Sequence, residues 1–528
     1  MAAGLSYTSR AHNDKPNTGR HRSRTADVID HTEFLRCQTG GKSVINYSYT
    51  DNPLKLLMWD IWTFLSFSYA LPWVVWPPTP SESAPELDEL SWAPGNLFCL
   101  FVHLVLIVLQ IGFLLVLIPI CILLPVWMAA LCIGGFLGLN WLLVIALNGN
   151  SLIYNSDPKY ARASDENAHE KWIFINGVAA GEYWMKSNLD RLALTFGRPI
   201  EGIHNKTTGI IFDVIECLIQ RNFGYATEDV RAAYKVVKDH LYDEKLSKVV
   251  FILHSQGGIE GSLVLDWLLQ ELPQDLLAKL EVYTFGCAAN HFNNPHRHKK
   301  SQIEEQNSAN GLLAASNPVT ETALSESPVD MKTSSLSKNS TTAQSNGNGA
   351  GAGDGHTIKS HSNTVSLLSD DVPIRTTSDR VIGHIEHYAH TTDFVAIWGV
   401  LHLVTNVRAS RMIPRFMGYV FSRTSSRGGH QLNQHYLEEM FPLERNAAGQ
   451  LIGCKDTNKF MESIVEHEKA GTELQDLYDG VDVSLAVMRG RRASDIKPEV
   501  GLHGSFRSGD FKNREVRVAD LSRLWQYR

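Results

Sequence analysis

From Leu90 to Ser156 the chain carries no Asp, Glu, Lys or Arg, and from Leu97 to Leu147 it is almost wholly apolar. A helix rises about 1.5 Å per residue, and a bilayer core about 30 Å thick takes roughly 20 residues. The run is long enough for two passes. Buried helix pairs of soluble proteins rarely extend so far without a charge. Pro119 and Pro125 interrupt its middle, and each removes a backbone donor and is expected to bend or break a helix. No polar loop lies between them. Two arrangements fit: two full spans joined by a short turn, or a hairpin that dips into one leaflet and returns. Both leave the two flanking regions on one side. Lys159 and Arg162 follow the run and lean that side toward the cytosol.

The remainder of the 528 residues exceeds one ordinary domain. A hydrophobic fraction of 44% permits a substantial core, and a net charge of -7 gives no basic footprint, so no nucleic-acid partner is expected. The seven cysteines show neither a CxxC pair nor a regular spacing, so no disulfide framework is expected. No His/Cys/carboxylate set has metal-ligand spacing, and neither metal nor cofactor is expected.

Composition divides the chain. Residues 1–45 are polar, lack the apolar core of a signal peptide and are expected to be disordered. Residues 46–96 include Met58–Pro78, dense in Trp, Tyr and Phe. Asp60 and Pro72 make this a poor span, so it is expected at the headgroup interface. A hydrophobic cap on the globular part is the other reading. Residues 97–148 form the membrane hairpin. Residues 168–294 and 375–445 are expected to be two parts of one α/β unit. Between them, 295–374 is rich in Ser, Asn and Gly and cannot bury enough surface to offset its ordering entropy. Residues 446–528 read as a basic C-terminal extension. Within the α/β unit, the strand-like runs WIFIN, PIEGIHN, KVVFIL, KLEVYTFG and HIEHYAHTT alternate with helical patterns. That alternation argues for a parallel sheet covered on both faces.

The chemistry is expected to centre on KVVFILHSQGGIEGSLVLDWLL. Here Ser255 stands between a buried strand and a helix. A sharp strand-to-helix turn exposes and orients a hydroxyl for attack on an acyl carbon, and the N–H of Gln256 can donate to the developing oxyanion. An ordinary structural serine is the bland alternative. A second piece, FINGVAAGEYW, ends a strand with Asn176-Gly177-Val178 and precedes a helix. The third, VYTFGCAANHF, ends another strand.

These pieces resemble the α/β-hydrolase superfamily, of lipase and esterase type, and fungal membrane-associated serine hydrolases in particular. The elbow of that family reads G-x-S-x-G. Ser255, Gln256 and Gly257 match it, while Leu253 replaces the first glycine. Asn176 stands where the family has His in the loop that supplies a second oxyanion donor, which makes the N–H of Val178 or Ala179 the candidate. Thr284-Phe285-Gly286 matches the T-F-G of lipases, with Ala288 in place of proline. The family's chain order Ser, acid, His points to Asp393 in T-D-F-V as the acid, with a helix cap as its alternative role. The histidine is His430, which follows two glycines, or alternatively His435. The resemblance covers about 200 residues. It implies an α/β-hydrolase fold and acyl transfer from carboxylic, foremost lipid, esters, with membrane lipid and ester substrate as partners. Endoplasmic reticulum or lipid droplet is the expected location, with the catalytic unit cytosolic. The alternative is a catalytically inactive fold serving as a membrane scaffold. In the tail, Arg491-Arg492-Ala493-Ser494 fits a basophilic kinase, with Ser494 as a phosphosite.

Overall fold

The computed structural model describes residues 30–35, 52–298, 380–405, 416–466 and 516–528. Among them a nine-stranded sheet forms the centre, in the order β11-β1-β8-β7-β6-β5-β3-β4-β2. The strands are β1 (His31–Leu35), β2 (Ile153–Asn155), β3 (Glu170–Ile175), β4 (Ile200–Ile203), β5 (Lys248–His254), β6 (Leu280–Phe285), β7 (His384–His390), β8 (Tyr419–Thr424) and β11 (Val465–Glu466). A separate ribbon pairs β9 (Leu443–Arg445) with β10 (Leu451–Cys454). From β4 to β8 all neighbours are parallel, while β2 and β1 run antiparallel to β4 and β8. The chain is therefore an α/β fold with a mainly parallel central sheet.

Burial on both faces explains why β5 reads as an unbroken apolar run rather than an alternating one. Along β3, Trp172 and Phe174 enter one core and Ile173 and Ile175 the other. Helix α4 (Glu182–Phe196) covers the first face with Met185, Leu189 and Leu192. Helices α6 (Glu228–Tyr242) and α7 (Gln256–Glu271) cover the second with Val237, Leu265 and Leu268. Helix α5 (Ile210–Phe223), which the periodicity reading passed over, lies between α7 and the apolar segments.

The apolar run forms two helices, α2 (Pro94–Leu123) and α3 (Val126–Asn148), of 30 and 23 residues, each long and apolar enough to cross a membrane. The chain reverses at Leu124–Pro125. Pro119, expected to break a helix, lies inside α2. The helix continues through it, losing one backbone donor. The Asn, Gln and His residues of α2 are Asn96, His103 and Gln110, seven apart and so on one face. Those of α3 are Asn140 and Asn148. All five are buried, whereas Phe101, Leu104, Val108, Leu131 and Trp141 stand exposed.

The aromatic segment contains helix α1 (Pro53–Ser66), whose two faces differ. Phe64 packs edge-on against Phe394 and Trp398. Buried Asp60 accepts from Arg221 at 3.3 Å and Asn222 at 2.7 Å. On the other side Met58, Trp59, Trp62 and Leu65 are exposed. The cap reading thus fits one face, and an unpartnered apolar surface remains on the other.

Three boundaries need correction. Residues 31–35, placed in a disordered 1–45, form β1, where Phe34 stacks on Tyr419 and packs at a tilt against Phe421. The continuous part of the α/β unit also extends upstream of residue 168, to β2. The end of the expected extension 446–528 belongs to the core: Trp525 and Tyr527 are buried, Tyr527 against Trp172. In the first and third cases a short apolar or aromatic cluster in a polar stretch finds its partner hundreds of residues away. Residues 1–29, 36–45 and 299–374, and Ser494, lie outside the described residues.

Candidate active site

The site is built at the carboxyl ends of β3, β5 and β6. Strand β5 ends at His254 and α7 starts at Gln256, leaving Ser255 at φ 57° and ψ -119°. Among the described residues only Ser255 and Ala179 adopt positive φ without being glycine. Such conformations cost on the order of 1–3 kcal/mol and persist only where the surroundings over-determine them. At Ser255 the surroundings are local. Its N–H donates to Phe285 O at 3.1 Å, and its carbonyl accepts from Gly258 at 3.0 Å and Ala288 at 3.1 Å. A Cβ on Gly257 would lie 2.7 Å from Ile175 O, so only glycine lets the helix start this close to β3. Leu253, the departure from the glycine pattern, is fully buried and packs against Gly261, where a Cβ would collide with it. The space lost at Leu253 is returned two turns into α7.

The hydroxyl of Ser255 lies 2.9 Å from His430 Nε2, and His430 Nδ1 lies 2.9 Å from Asp393 Oδ2. Asp393 also accepts from Tyr436 Oη at 2.7 Å and, through Oδ1, from Val395 N at 2.8 Å. It is both the partner of His430 and the cap of the helix that begins at Phe394. Full burial would raise its carboxyl, but the adjacent His430 and these donors hold it below the usual range. Gly286, at φ 55°, passes beneath: a Cβ there would sit 2.8 Å from Asp393 Oδ2 and 3.0 Å from His430 Nδ1. His435 lies elsewhere. Its Nδ1 accepts from Gln431 N at 3.0 Å and its Nε2 donates to Pro77 O at 3.0 Å. Of the two histidines, His430 is the one brought to Ser255.

His254 stacks on His430 with ring centroids 4.8 Å apart, and its Nε2 donates to His430 O at 2.9 Å. Burial, then the neighbouring His430, pushes its pKa down to about 3. It is therefore neutral near pH 7 and pins the backbone of the loop that carries His430.

The second loop crosses directly over Ser255. A Cβ on Gly177 would run into the Ser255 side chain, so this approach requires glycine. Asn176, expected only as a stand-in for His, accepts from Asn205 N and donates to Asn205 O, both at 2.9 Å. Of the two candidate amides, that of Ala179 is committed: it donates to Asp213 Oδ2 at 2.9 Å. Ala179 is therefore corrected from free donor to an amide held by Asp213, which leaves the amides of Val178 and of Gln256, the latter at the start of α7 where the first N–H groups of a helix lack internal partners, as the candidates. The Gln256 side chain turns away to Gln220 at 2.9 Å and Glu216 at 3.2 Å.

Sequence reasoning passed over His254, Tyr436 and Asp213 as functional residues. Asp213 had a readable signal, since it is the first acid in the apolar pattern IIFDVIECLI. Tyr436 had none, because its hydroxyl meets Asp393 only through the tertiary fold. Among the described residues no group of three or more His, Cys, Asp or Glu is placed to hold a metal ion. Comparison with protein-family models, curated proteins and solved structures gave no match. The class is thus defined by the molecule itself: an α/β fold with a mainly parallel sheet, two long apolar helices and a buried Ser–His–Asp chain at a strand-to-helix corner.

Proposed function

We propose that this chain is a membrane-anchored serine hydrolase that cleaves carboxylic esters, lipid esters foremost, through an acyl-enzyme. The observation that carries this reading is the unbroken hydrogen-bonded series Ser255–His430–Asp393, with the serine at positive φ between strand and helix. The strand order, with its antiparallel edge strand at β2, agrees with the α/β-hydrolase arrangement.

In this reading Asp393 keeps the proton of His430 on Nδ1, leaving Nε2 free to take the proton of Ser255. Oγ bonds to the substrate's carbonyl carbon, and the oxyanion is received by the amides of Val178 and Gln256. His430 passes the proton to the departing alkoxide, which leaves as the alcohol. Water, deprotonated by the same imidazole, then releases the acid and restores Ser255. The apolar cluster beside the serine, including Val178, Phe64, Phe67, Phe394 and Ile397, suits an acyl chain. The hairpin and the exposed face of α1 would hold the enzyme at a membrane, consistent with a lipid substrate and with a cytosolic unit on the endoplasmic reticulum or a lipid droplet.

A fluorophosphonate probe tests the reading. Covalent labelling of the full chain in detergent or vesicles, lost in Ser255→Ala, supports it. Folded protein that resists the probe would instead leave the inactive scaffold.

A further inference from the structure

The hairpin is joined to the α/β unit by more than apolar packing. Gln110 Nε2 donates to Asn140 Oδ1 at 2.9 Å and to Thr208 O at 2.8 Å, and Gln110 Oε1 accepts from Ile211 N at 3.2 Å. Asn140 Nδ2 reaches the same Thr208 O at 3.2 Å. Asn148 forms a two-way pair with Thr207, donating to its carbonyl at 2.7 Å and accepting from its N–H at 3.0 Å. Gly209, at φ 103°, is the residue that admits Gln110, because a Cβ there would collide with the amide.

The segment held in this way, 204–209, is gripped on its other side by the loop over Ser255. Asp213 Oδ1 accepts from Thr208 N at 2.7 Å and Thr208 Oγ1 at 2.9 Å. Its Oδ2 accepts from Thr207 Oγ1 at 2.6 Å and from Ala179 N at 2.9 Å. His204 Nε2 donates to Ala180 O at 2.8 Å, and Asn205 pairs with Asn176. A continuous set of hydrogen bonds therefore runs from two apolar helices to the strained hinge beside Val178.

We propose that Gln110, Asn140 and Asn148 are positioning residues for the oxyanion loop, so that the docked hairpin is part of the catalytic apparatus and not only an anchor. This rests on the hydrolase reading for its consequence in rate, though not for the mechanical link. Polar side chains on apolar helices are costly unless partnered. Gln110 and Asn140 bond each other, and the partners of all three on the α/β unit lie within residues 207–211. With the latch released, Asp213 loses the fixed Thr207 and Thr208 against which it holds Ala179 N–H, and the Val178 amide drifts. A misplacement near 1 Å at a reacting centre costs about 10²-fold in rate.

The test uses the full chain in phosphatidylcholine vesicles. Gln110→Leu combined with Asn140→Leu removes the latch contacts to Thr208 and Ile211 while keeping the helices apolar; Gly112→Ala, where no atom lies within 4 Å of the added Cβ, is the control. The double variant should stay in the vesicle fraction and keep its thermal unfolding cooperative. Fluorophosphonate labelling and ester kcat should fall about 10²-fold with KM little changed, and amide exchange in residues 177–180 should rise. Gly209→Ala, which wedges Gln110 out without touching either helix, should do the same if the first variant folds poorly. Unchanged exchange in 177–180 together with an unchanged labelling rate would overturn the proposal. If the wild-type chain itself is not labelled, the hydrolase reading fails, and the exchange experiment still decides whether the hairpin holds the loop.

Discussion

Among the described residues two non-glycine residues have left-handed backbone, and they are held in different ways. Ser255 is clamped by its immediate neighbours in sequence and sheet: Phe285, Gly258 and Ala288 bond its backbone, and Gly257 lets α7 start against β3. Ala179 is held by a distant side chain, Asp213 of α5, which is itself tied to the segment that meets the hairpin. The first corner is a local device, rigid because its own motif is rigid. The second is a borrowed conformation that lasts while remote contacts persist. On the proposed hydrolase reading, the nucleophile would sit on the locally held corner and the oxyanion donor beside the remotely held one.

Substitutions can break this contrast. Ser255→Ala should leave the fold intact and lower esterase turnover on the order of 10⁶-fold, measured with a p-nitrophenyl ester. Asp393→Asn is expected to cost about 10⁴-fold in kcat, because an amide cannot favour the Nδ1–H tautomer of His430. Gly177→Ala places a methyl group against the Ser255 side chain and should slow fluorophosphonate labelling about 10²-fold with little change in melting temperature. An unaltered rate there would show that the loop yields freely and that the contrast between the corners is false.

Two smaller effects sharpen the comparison through stability. Burial, then the charges of Asp213 and Asp229, raises the pKa of Glu216 to about 7 from its ordinary 4.5. The folded chain therefore holds a proton there that the unfolded chain releases between those values, so stability falls as pH rises through this window. Glu216→Gln should flatten that decline, with its largest gain in melting temperature near pH 8 and the least near pH 4. Ala179→Gly relieves the positive φ and should raise stability by about 1 kcal/mol if the strain is real, read by denaturant titration. The equivalent change at Ser255 removes the nucleophile, so only the borrowed corner can be relaxed independently.

The sheet and the strand-to-helix corner at Ser255 were legible because their evidence is short-range. KVVFIL followed by a serine, two glycines and a helical pattern specifies strand, turn and helix within some twenty residues. Asp393 and His430 were reachable only through the resemblance, and the choice of His430 over His435 rested on the two glycines that precede it in a loop. The roles of β1 and of the C-terminal Trp525 and Tyr527 could not be read at all, since nothing near them in the chain says what they pack against.

By itself, the sequence determined that the chain must hide or embed a charge-free apolar run and build a parallel sheet beside it. Both follow from composition and periodicity, which are properties of neighbouring residues. Only the tertiary structure decided that the polar residues spaced along that run face the α/β unit, and that α5 links them to the loop above Ser255. Hydrogen bonds between residues a hundred positions apart leave no periodic trace, because each requires a single donor and acceptor to meet, and that meeting exists only once the whole chain has folded.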